Sequence, residues 1–68
     1  MKSGYFIMKM WQTGNVGPHN IQKLKDNPHE GYKSYDEAKA GMLDLKEKGN
    51  WELKQTSYSF AIMEVFWS

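Results

Sequence analysis

Cysteine is absent from this 68-residue chain, which excludes disulfides and thiolate-bound metal. Arginine is absent too. All nine basic residues are lysine, set against eight acidic ones for a net charge of +1. Arginine is the preferred residue for bidentate contacts to guanine and phosphate, so this composition argues against a dedicated nucleic-acid binder. No apolar run approaches the roughly 18 residues that mark a membrane-spanning helix. The opening stretch to Trp11 carries a lysine inside a short apolar segment and no small-residue cleavage site, unlike a secretory signal. The expected location is therefore the cytoplasm of the producing or host cell, with no membrane partner.

Recognisable reaction chemistry is also scarce. His19 and His29 are ten residues apart in a polar stretch with Glu30 and Asp36 nearby, a spacing that matches no strong metal-ligand pattern. Ser3, Ser34, Ser57, Ser59 and Ser68 sit in no nucleophile elbow. Gly14-Asn15-Val16-Gly17 is too short for a phosphate loop and lacks the lysine that would follow one. The expectation is a protein that is not an enzyme, with no catalytic residue, no metal and no cofactor.

What the chain does have is apolar strands. Tyr58–Trp67 places Tyr58, Phe60, Ile62, Glu64 and Phe66 on one face and Ala61, Met63, Val65 and Trp67 on the other, because side chains alternate along a strand. Gly4–Gln12 has the same property, with Tyr5, Ile7, Lys9 and Trp11 opposed to Phe6, Met8 and Met10. Strands that are apolar on both sides expect cover on both sides. One domain of this length has little material to supply it, and its core contributes only about 3–5 kcal/mol of net stability.

Between the strands lies one clear helix, predicted over Tyr35–Lys48. Ser34 and Glu37 have the spacing of a capping box, Asp36 and Glu37 oppose the helix dipole, and Gly49 supplies a C-terminal stop. Ala38, Met42 and Leu45 form one narrow stripe. Gly41 beside it permits close backbone approach, and Asp44 with Lys48 makes an i,i+4 pair. Thr13–Gly17 reads as a turn. Pro18–Glu30 reads as an irregular polar loop, with Ile21 and Leu24 on a short helical turn ended by Asn27-Pro28. Trp51 and Leu53 alternate with Glu52 and Lys54 as a short strand or extended lead-in.

The fold expected is α+β: a single small domain over 1–68, with a small antiparallel sheet in which the N- and C-terminal strands are adjacent, and one main helix on one face. Opposing Lys9 to Glu64 pairs the two isolated strand charges. In that register the helix stripe covers the methionine-rich face and leaves the aromatic one exposed. The expected function is binding without catalysis, through Tyr5, Ile7, Trp11, Tyr58, Phe60, Ile62 and Phe66. The partner is a second copy, as homodimer or higher oligomer, or a foreign protein; Trp11, Phe60 and Phe66 are the principal anchors. Size, absent cysteine and aromatic density fit an inhibitor or adaptor of phage or mobile-element type. The alternative is a weak nucleic-acid or nucleotide binder that uses sheet aromatics and contacts phosphate through Lys9, Lys23 and Lys25.

Overall fold

The computed structural model describes residues 1–15, Gly17 and residues 19–68. Val16 and Pro18, assigned above to the turn and the loop, lie outside the described residues. The elements run β1 (Lys2–Gln12), β2 (His19–Lys23), α1 (Tyr35–Glu47) and β3 (Ser59–Trp67). They form an α+β fold, with a three-stranded antiparallel sheet in the order β2-β1-β3. The N-terminal strand is central and the C-terminal strand lies beside it.

β2 corrects the sequence reading, which made this stretch irregular with a helical turn. A central strand has backbone groups on both edges to satisfy, and β1 takes β2 on the edge away from β3. Leu24 extends the pairing by donating its N–H to the Ile7 carbonyl at 3.0 Å. Asn27 then acts as a substitute backbone unit. Its Oδ1 accepts from the Ile7 N–H at 2.8 Å, and its Nδ2 donates to the Ile7 carbonyl at 2.9 Å. The chain returns once more, and Tyr32 exchanges both backbone hydrogen bonds with Tyr5.

The helix forms where its signals place it. Ser34 accepts from the Glu37 N–H, and Glu37 reaches back to the N–H of Lys33, one residue before the cap. At the other end Gly49 has φ +78°. The Gly49 and Asn50 N–H groups donate to Lys46 and Leu45, which is the Schellman arrangement. Asp44 and Lys48 pair at 2.9 Å. The Trp51–Leu53 segment, read above as a short strand, is a turn. Asn50 Oδ1 accepts from the N–H groups of Glu52 and Leu53, and that local cap competes with extended pairing.

The β1–β3 register is Tyr5 opposite Glu64, Ile7 opposite Ile62 and Lys9 opposite Phe60, four residues away from the Lys9–Glu64 pairing. The partner of Lys9 is Glu52, at 2.6 Å. A carboxylate delivered from the turn after α1 displaces the cross-strand one. The slip is even, so the composition of each face is as the alternation gives it. The helix, however, lies on the opposite face from the expected one. Tyr32, paired with Tyr5, shares the face of Tyr5, Ile7 and Lys9, and a Cβ on Gly41 of α1 would strike its ring. Glu52 reaches Lys9 on that same side. The core there includes Ile7, Leu24 and Ala38, all essentially inaccessible.

On the other face, cover among the described residues is seen at its lower end. The Glu30–Gly31 backbone passes beneath Gly4 and Phe6, and Trp67 meets Phe6 edge-on at 6.2 Å. The result is a slab with Cα extents of 36 × 31 × 16 Å. Its radius of gyration is 12.7 Å, against about 11 Å for a compact chain of this length.

Candidate functional site

Two surfaces compete for the role. The first is the aromatic cluster on the helix side of the sheet. Trp11 and Tyr58 stack at a tilt with centroids 5.4 Å apart, and Tyr58 meets Phe60 edge-on at 6.4 Å. The Lys9 ammonium lies 5.6 Å from the Trp11 ring centre and 5.0 Å from that of Tyr58. It donates to Glu52, whose side chain is 5 % exposed. That hydrogen bond raises the Lys9 pKa above its ordinary value. Desolvation opposes the rise, and the charges of Glu52 and Tyr58 add to it. The second oxygen of Glu52, Oε1, has no hydrogen-bond partner among the described residues. The cluster is a closed internal contact whose cation comes from the chain itself.

The residues named for binding therefore divide. Ile7 is fully buried, which removes it as a contact: it sits in the central strand under the helix, opposite Ile62. Tyr5 and Ile62 are half-buried beneath the same cover. Trp11, Tyr58 and Phe60 are tied together around Lys9. Phe66 stands apart at the end of β3, 59 % exposed. Of the phosphate-contact candidates, Lys9 is corrected by its pairing with Glu52. Lys23 holds its ammonium 4.1 Å from the Phe6 ring centre, and Lys25 is exposed in the turn after β2.

The second surface is the sheet face away from the helix. Met10, Ile21, Ala61, Met63 and Val65 share it with the buried Phe6 and Met8. Ile21 is 52 % exposed, and the other four are half-buried, as Trp11, Tyr58 and Phe60 are on the helix side. Lys23 flanks them from β2. At one end an open hollow of about 240 Å³ is lined by Met10, Trp11, Gln12, His19, Ser57 and Ser59. From sequence, Ile21 is placed on a helical turn of the loop, and Met10, Ala61, Met63 and Val65 under the helix stripe. Their uniform apolarity was the available signal, but it is equally the signature of a buried face. Among the described residues, no three of His, Asp and Glu converge, and no helix is long and apolar enough to cross a membrane.

Compared with known proteins, the chain matches no family model, and no curated protein or solved structure is significantly similar to it.

Proposed function

We propose that this protein is a non-catalytic interaction module that docks an apolar protein surface against the open methionine-rich face of its sheet. It then acts as an inhibitor or adaptor by occupying that surface. The observation that carries the reading is the two-layer slab with apolar side chains on the side away from the helix. The accessible surface is 4999 Å², whereas about 4,450 Å² is usual for a folded chain of this mass. Exposed apolar patches on small proteins mark interaction sites, and methionine adapts its shape to a docking partner.

A photo-crosslinking residue placed at Met10 or Ile21 tests this in the producing or host cell. Both positions should capture the same protein, and the same residue at Leu43, exposed on α1, should not. Equal capture from Leu43 would contradict the assignment. The nucleic-acid reading keeps Lys23 and Lys25 but loses Lys9. It predicts affinity that falls steeply with salt, whereas the apolar face predicts weak salt dependence.

A further inference from the structure

The two edges of the sheet differ in kind. β2 is five residues long and carries His19, Gln22 and Lys23, the short, polar character that protects an edge from unwanted pairing. β3 is nine residues long, with Glu64 as its one charge. Its outer edge has no backbone partner among the described residues. A long apolar edge of that kind is a template for another strand.

The hydrogen bonding of β1 fixes which β3 groups face outward. Tyr5 directs both its N–H and its C=O to Tyr32, and Ile7 directs both to Leu24 and Asn27. Odd-numbered residues of β1 thus face β2, and Gly4, Phe6 and Met8 face β3. Their opposite numbers are Val65, Met63 and Ala61. The N–H and C=O groups of Phe60, Ile62, Glu64 and Phe66 therefore point away from the sheet, because hydrogen-bonded and non-hydrogen-bonded positions alternate.

We infer that the free edge of β3 pairs antiparallel with β3 of a second copy, about a two-fold axis at Met63, to give a continuous six-stranded sheet. This register sets Ile62 opposite Glu64 of the second copy, and Phe60 opposite Phe66. Each such pair joins outward-facing groups that can exchange backbone hydrogen bonds. Met63 then meets Met63, and Ala61 meets Val65, as the intervening non-bonded pairs. All nine residues of β3 overlap. An axis at Glu64 would oppose the two carboxylates, which is destabilising, and an axis at Ile62 shortens the overlap. Pairing also places the two open faces side by side, doubling the floor on which a partner docks. It uses the edge rather than that face, so this inference and the docking reading fail separately.

The chain has no cysteine, so single-cysteine variants report directly. Antiparallel non-bonded pairs hold their Cα atoms about 4.5 Å apart, within the range a disulfide spans. Sedimentation across a dilution series should show a monomer–dimer equilibrium. Oxidised Met63→Cys should form a covalent dimer. An equal mixture of Ala61→Cys and Val65→Cys should give mainly the mixed disulfide, and Ile21→Cys should give little. Ile62→Pro removes an outward N–H without taking a bond from β1, and should shift the equilibrium to monomer. If that variant unfolds, the cysteine pairs still decide. A monomer at every concentration would overturn the inference, as would crosslinking through Ile21→Cys in preference to Met63→Cys. Either result would leave capture of a foreign protein by Met10 and Ile21 standing.

Discussion

Lys9 shows how one side chain can reverse a reading of two faces. Its ammonium lies among Trp11, Tyr58 and Glu52, with 11 % of the side chain exposed. Removing one member of a buried pair leaves the other charged and unpaired, whereas replacing both with apolar groups can be neutral or stabilising. Glu52→Leu and Lys9→Met are each expected to lower the urea midpoint, and the double variant should recover much of the loss. Additive losses would mean that the pair is not coupled. Tyr32 adds a second titrating group. Burial raises its pKa, as do the nearby charges of Asp26 and Asp44. The Lys9 pKa is also raised. Unfolded lysine and tyrosine lose their protons near pH 10, while the folded groups still hold theirs. The native state then binds more protons than the unfolded one, so stability falls as pH rises. Urea melts should show a roughly constant midpoint from neutral pH to about 9.5 and a decline beyond about pH 10. The Lys9→Met/Glu52→Leu variant should decline less.

At the scale of elements, the helix was legible and the sheet only partly so. Every determinant of α1 is local: Ser34 and Glu37 at one end, and Gly49 at the other. Ser34→Ala should therefore cost about 1 kcal/mol in denaturant melts. Gly41→Ala is the sharper case. In an open helix it would gain about 1 kcal/mol from propensity. Here the new methyl meets the Tyr32 ring, and overpacking costs typically about 1–3 kcal/mol, so the expected sign is destabilising. Strand pairing depends on residues far apart in the chain. β2 has one apolar residue in five, Ile21, and reads as loop until β1 presents an edge to it. Likewise, nothing near Lys9 or Glu64 announces that Glu52 intervenes. The alternation still assigned each side chain of β1 and β3 to its proper face, because the register error was an even number of residues. Which face the helix takes is decided by Tyr32, Gly41 and Glu52 together, and no single stretch of sequence contains that choice.

At the scale of the molecule, the helix takes the aromatic side of the sheet, so the apolar strand face without helix cover is the methionine side. On the helix side Ile7 and Leu24 are buried, while on the other side Met10 and Met63 are half-buried and Ile21 is largely exposed. Of the aromatic anchors chosen from sequence, Trp11 packs against Lys9, Phe60 against Tyr58, and Phe66 alone is largely exposed. The docking reading and the edge pairing both depend on this assignment of faces. Its most direct test is solvent paramagnetic relaxation of methyl signals in dilute protein, with a soluble nitroxide as the probe. The methyls of Met10, Ile21 and Met63 should broaden strongly, while those of Ile7, Leu24 and Ala38 stay sharp. Protection of Met10 and Met63 together with broadening of Ile7 and Leu24 would place the helix on the other face and contradict the account.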